Sequence, residues 1–148
     1  MQMTRLLVAS VAFMVLSLLA TGCGDSSADT TTTVVTDAAT SGVVFGRGSI
    51  PDAVPDSFPI PDEANIGATL VDSNRGLTEM ILTFPAAVEP VAAYYEENLP
   101  ARGYEVTSSG GTDVEWVLEF NGEGIDGVIR ITAGGSGLSA ATVRLTDT

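Results

Sequence analysis

Residues 65–148 alternate between apolar and polar positions with a period of two in several short runs, which predicts half-buried antiparallel strands. Ala68 to Asp72 and Leu77 to Phe84 flank Ser73-Asn74-Arg75-Gly76, a hairpin turn, and Met80, Leu82 and Phe84 share one face. After Pro85 the period changes. Val88, Val91, Tyr95 and Leu99 recur at helical spacing, and Pro90 is tolerated because it falls in the first turn. The helix is predicted to end at Ala101-Arg102-Gly103, with Gly103 as a left-handed cap and Tyr104 folded back as its capping hydrophobe. Further strands follow from Tyr104 to Ser108, Val114 to Phe120, Ile125 to Ala133 and Leu138 to Thr146, with glycine at every connection. Trp116, Leu118 and Phe120 oppose Glu115 and Glu119; Ile129 and Ile131 oppose Arg130 and Thr132; Ala141, Val143 and Leu145 oppose Thr142 and Arg144. One face is apolar and the other wet. The expected fold is α+β with two layers: an antiparallel sheet of about six strands with one helix packed on one face, in the order ββαββββ, over about 85 residues.

Upstream of this domain the pattern dissolves. Residues 50–64 hold Pro51, Pro55, Pro59 and Pro61 with Asp52, Asp56 and Asp62, which enforces extended backbone without ladder bonds. This segment reads as an entry arm laid across the domain, with Phe58 and Ile60 as its anchors. Residues 23–49 are Ser, Thr, Asp, Ala and Gly with brief apolar pairs, among them Val43-Val44-Phe45, for which only a weak pairing with the domain is expected. They bury too little apolar surface to order themselves and are read as a flexible acidic tether with a span of roughly 25 to 30 Å. Its Thr30 to Thr33 run is also a candidate for O-glycosylation.

Residues 1–22 are one basic residue, Arg5, then an apolar run and small residues. The run is about 15 residues, short of the roughly 20 that cross a bilayer, and reads as a signal-peptide core. The junction Leu19-Ala20-Thr21-Gly22-Cys23 resembles the lipobox of bacterial lipoproteins, with Ala20 where that motif most often has Leu. The resemblance implies that the Cys23 sulfur accepts a diacylglycerol, that cleavage makes Cys23 the N-terminus, and that acyl chains hold it on the extracytoplasmic face of the cell membrane. The stretch from Pro59 through Leu99-Pro100-Ala101-Arg102-Gly103-Tyr104 to the closing hairpins is similar to small uncharacterised α+β lipoprotein domains of high-GC bacteria, in which a helix end of the form Leu-Pro-x-x-Gly-aromatic recurs. No activity comes with that resemblance.

Charge and composition narrow the function. The chain carries six basic residues against nineteen acids, no His, and a net charge of -13. Phosphate backbones and anionic headgroups repel such a chain, so nucleic acid is excluded as a partner and a soluble monomer is expected. A single cysteine forms no intramolecular disulfide. Without His, or a thiol inside the domain, Cys-His and Ser-His-Asp catalysis and the usual zinc sets are unavailable. Glu96 and Glu97 are neighbours on a helix, and Glu115 and Glu119 lie on a solvent strand face, so neither pair reads as catalytic carboxylates. Asn121 to Gly127 places oxygens at alternate positions but lacks the closing Glu of a calcium loop. Tyr94, Tyr95 and Trp116 are candidates for an aromatic platform, although Tyr95 and Trp116 occupy core positions in the pattern.

No catalytic residue, metal or cofactor is therefore assigned, and Cys23 is the one named site. Three readings remain: a non-catalytic binding or interaction module of the cell envelope that meets a protein partner, a small apolar-ligand carrier with a pocket between helix and sheet, and, ranked last, a carboxylate-only enzyme. Replacing the acylated sulfur tests the address: Cys23→Ala is expected to move the protein from the membrane to the soluble fraction on cell fractionation.

Overall fold

Between residues 42 and 148, the part of the chain that the computed structural model describes, the alternating runs pair into one antiparallel sheet. The elements in chain order are β1 (Val43–Arg47), β2 (Asn65–Asp72), β3 (Leu77–Phe84), α1 (Val88–Ala101), β4 (Glu105–Gly111), β5 (Glu115–Gly122), β6 (Ile125–Gly135) and β7 (Leu138–Asp147). Their order across the sheet is β1-β2-β3-β7-β6-β5-β4. Two meanders therefore meet at a seam. The first ends in β3, α1 carries the chain to the far edge, and the second meander returns until β7 lies against β3. That seam runs from Leu77 opposite Thr146 to Phe84 opposite Ser139.

The α+β architecture is as expected, but the sheet has seven strands, not six. The additional strand is β1, formed by residues that composition assigns to the tether. Its burial is slight, with Val44 through Arg47 exposed. What orders it is the free edge of β2, which supplies backbone partners from Asp72 to Ala68, so ladder bonds rather than apolar burial hold the segment.

The helix follows its stripe. Val88, Val91, Ala92, Tyr95 and Leu99 are buried, and α1 lies against β4, β5, β6 and β7. Its end is a Schellman motif: Tyr104 N–H donates to the Leu99 carbonyl at 3.1 Å and Gly103 N–H to the Pro100 carbonyl at 3.2 Å. Gly103 takes φ of 92°, where a side chain would be strained. Two hairpins turn on paired positive φ, Glu123-Gly124 between β5 and β6 and Ser136-Gly137 between β6 and β7. That is the backbone of a type I′ turn, whose twist matches the strands it joins. Beneath the helix the apolar face closes completely: Met80, Leu82, Leu99, Leu118, Ile129, Ile131 and Val143 have no exposed surface.

The proline arm completes this layer. The arm is free of ladder bonds as expected but is a series of turns rather than extended, because proline also suits the start of a turn: Val54 N–H reaches the Pro51 carbonyl, Phe58 N–H the Pro55 carbonyl and Ala64 N–H the Pro61 carbonyl, at 3.0, 2.9 and 2.9 Å. Val54 and Phe58 are buried in the same cluster as Met80, Leu82 and Phe84, while Ile60 is half-buried against it. The Phe58 ring lies 5.8 Å from Phe120, 6.2 Å from Tyr95 and 6.2 Å from Tyr104, and Tyr104 stands edge-on to Phe120 at 5.6 Å. The Tyr104 hydroxyl shares a 2.8 Å hydrogen bond with Ser57 of the arm. Opposite Phe120 in the ladder is Gly127, where an added Cβ would come within 2.0 Å of the Phe120 ring.

Phe58→Ala is expected to lower the unfolding free energy by about 3–5 kcal/mol, because it opens a cavity shared by arm, helix and sheet. Gly127→Ala is expected to destabilise as well, by displacing Phe120. Urea titration followed by far-UV circular dichroism measures both.

Candidate functional site

The helix and arm cover one face of the sheet and leave the other to solvent. Ladder register arranges that open face in rows. Glu79 of β3 lies opposite Arg144 of β7, Arg144 opposite Val128 of β6, and Val128 opposite Glu119 of β5. Period-two alternation produces this arrangement, because a β-strand that sends Val143 and Leu145 into the core must send Arg144 outward. A neighbouring row pairs Thr142 with Arg130 and Arg130 with Val117. Arg130 also forms an ion pair with Glu115, diagonal to it on the same face.

A depression of about 410 Å³ opens on this face between β4 and β7, lined by Thr107, Glu119, Asn121, Asp126, Val128 and Arg144 among others. Thr107 reaches the rim because β4 bulges between Val106 and Ser108, setting an extra residue against β5. The lining offers two carboxylates, one guanidinium, an amide and hydroxyls beside the Val128 side chain. Such a set orients a ligand by several hydrogen bonds to groups of either sign. It does not hold a nucleophile next to a base, the arrangement covalent catalysis uses.

A second cavity, about 190 Å³, lies where the arm meets the start of α1, lined by Pro61, Glu63, Phe84, Pro85, Pro90 and Tyr94 among others. It sits at the helix end. Between helix and sheet the packing is continuous.

No protein-family model, curated protein or solved structure matches this chain.

Each residue singled out from the sequence has a definite place, except Arg5, the Leu19-Ala20-Thr21-Gly22-Cys23 junction and the Thr30 to Thr33 run, which lie outside the described residues. The three aromatic residues do not form a common platform. Tyr94 and Tyr95 are 5.4 Å apart and edge-on, but Tyr95 is fully buried in the core and Tyr94 half-buried at the helix surface. Trp116 instead donates its indole N–H to Ser109 Oγ at 2.9 Å, and Ser109 donates to the Glu96 carboxylate, which fastens helix to edge strand. Glu97 is exposed on the helix. Glu115 and Glu119 are both exposed on the open face, where only Glu119 reaches the depression. Asn121 to Gly127 is the β5–β6 hairpin, and it contributes Asn121 and Asp126 to the lining. Among the described residues no helix is long and apolar enough to cross a membrane.

Sequence reasoning assigned Arg144 and Thr107 no role. The alternation that faces Arg144 outward was legible, but the neighbours β7 brings to it depend on strand order. Thr107 carries no sequence signal, because its placement comes from the bulge.

Burial pushes the Tyr95 phenol up from its ordinary value, and Tyr94 beside it acts in the same direction. Its hydroxyl has no hydrogen-bond partner among the described residues. An unpartnered buried hydroxyl costs about 1–3 kcal/mol, so Tyr95→Phe is expected to raise the melting temperature. The unfolded phenol ionises near pH 10 while the folded one stays neutral. Native stability is therefore expected to be retained below about pH 10 and to fall as pH rises above it, less steeply in Tyr95→Phe. Thermal melts between pH 8 and 11 measure the difference.

Proposed function

We propose that this chain is a lipid-anchored, non-catalytic binding module of the bacterial cell envelope. Cys23 carries the lipid on the extracytoplasmic face of the membrane, the tether holds the domain away from the bilayer, and the open face of the sheet meets a protein partner. The observation that carries this reading is the asymmetry of the sheet: one face is closed by helix and arm over a filled core, and the other presents an indented surface of mixed charge.

The filled core also weighs against an apolar-ligand carrier, which needs space between helix and sheet. For the carboxylate enzyme the relevant acids, Glu119 and Asp126, are both exposed, in a depression open to water.

Site-specific photocrosslinking in intact cells tests the reading. A photoreactive residue at Val128 on the open face is expected to give a discrete protein adduct that one at Ala93, on the exposed side of α1, does not. Arg144→Glu is expected to reduce that adduct at least several-fold with unchanged circular dichroism. Equal labelling from both positions, or none from Val128, would sink the proposal.

A further inference from the structure

The two edges of the sheet are guarded differently. Edge strand β4 opens with Glu105, bulges at Thr107 and ends in Gly110-Gly111, features that discourage another strand from adding to it. Edge strand β1 has no proline, acid or bulge against β2, and it exposes Val44 at 58% and Phe45 at 71%.

The β1–β2 ladder decides which backbone groups face outward. Ser73 N–H donates to the Gly42 carbonyl at 2.8 Å, and Gly48 N–H donates to the Gly67 carbonyl at 3.0 Å. Between these ends the register places Val44 opposite Val71 and Gly46 opposite Thr69. Bonded pairs alternate along an antiparallel ladder, so Gly42, Val44, Gly46 and Gly48 spend their backbone groups on β2. Val43, Phe45 and Arg47 therefore turn their N–H and C=O groups away from the sheet. β1 is the terminal strand of the order, and no described strand lies beyond it.

We propose that this edge pairs with the same edge of a second copy of the chain, antiparallel about a two-fold axis through Phe45. That register sets Phe45 against Phe45 and Val43 against Arg47 of the other copy. Each of these is an outward-facing position, so about six backbone hydrogen bonds form with no unpaired group left at the centre. On the open face the two Phe45 rings meet, each backed by Leu70 of its own β2. Arg47 is the one charge on β1, and in this register it enters the row that holds Val43 and Asp72 of the other copy. Asp72 already accepts the Asn74 N–H at 3.1 Å and lies 3.6 Å from the Arg75 guanidinium, so Arg47 joins an existing ion pair as a second cation. The net charge of -13 predicts a monomer, but β1 itself contains no acid. A strand centred on an outward-facing residue, with equal arms and matched ends, is self-complementary, which points to a second copy rather than a foreign strand. The proposal is independent of the anchoring and open-face readings.

Cysteine pairing in the purified full chain, in detergent micelles and with Cys23→Ser so that introduced thiols are alone, tests the register. Phe45→Cys is expected to give a disulfide-linked dimer under mild oxidation, because bonded pairs have Cα atoms about 5.5 Å apart, within disulfide reach. Val43→Cys and Arg47→Cys are each expected to dimerise without forming a disulfide, since the two-fold axis sets like residues about 13 Å apart. The Val43→Cys/Arg47→Cys double variant is expected to crosslink. Phe45→Pro removes an outward N–H together with the ring that meets its copy, and is expected to lower the dimer fraction in light scattering at least tenfold while β1–β2 pairing persists. Equal crosslinking from all three single variants, or a monomer at every concentration, would overturn the proposal. If Phe45→Pro fails to fold, the crosslinking pattern alone decides.

Discussion

The packing of Phe58 against Tyr95, Tyr104 and Phe120 is the contact on which the rest of this structure depends. It joins pieces that the chain keeps far apart: the arm, the middle of the helix, the residue that closes the helix, and a strand of the second meander. Each ring restricts the others. Tyr104 is held in place by the Schellman motif, and Phe120 lies over Gly127 because any side chain there would collide with it. The arm has no ladder bonds of its own across the sheet, so this aromatic contact, with Val54 beside it, is what makes a proline-rich segment part of the core.

With the arm in place, the two faces of the sheet are assigned to different tasks. One face is committed to cohesion, and little of it remains for ligands. The other is free of that duty, because period-two alternation sends every apolar side chain that matters for stability inward. Residues such as Arg144, Glu119 and Thr142 can therefore vary with little cost to the fold. This separation is what the proposed binding module requires.

Much of this architecture was legible in the sequence. The extent of β3, the start of the helix and its Gly103 cap, and the β5–β6 and β6–β7 turns follow from local pattern alone, because each depends on neighbours within a few residues. What was not legible depends on partners distant in sequence. β1 was legible only as a weak pairing of Val43-Val44-Phe45, because a segment this short and polar at its flanks is ordered by the edge of β2. Val54 was missed as an anchor although it repeats the Pro-Asp-x-apolar spacing that ends in Phe58. Glu79, Arg144, Val128 and Glu119 could be placed on a polar face but not in a row, since the row exists only after β7 enters between β3 and β6.

That late entry of β7 governs timing as well as shape. A chain delivered from its N-terminal side presents β1, β2 and β3 first, and their apolar face must wait in water for a partner strand. The helix passes over to the far edge, and the second meander fills inward from there. The strand that joins the halves is therefore the last one made. The two halves of the sheet are therefore joined only by the last strand of the chain, residues 138–147, and the seam with β3 needs both ends of the domain.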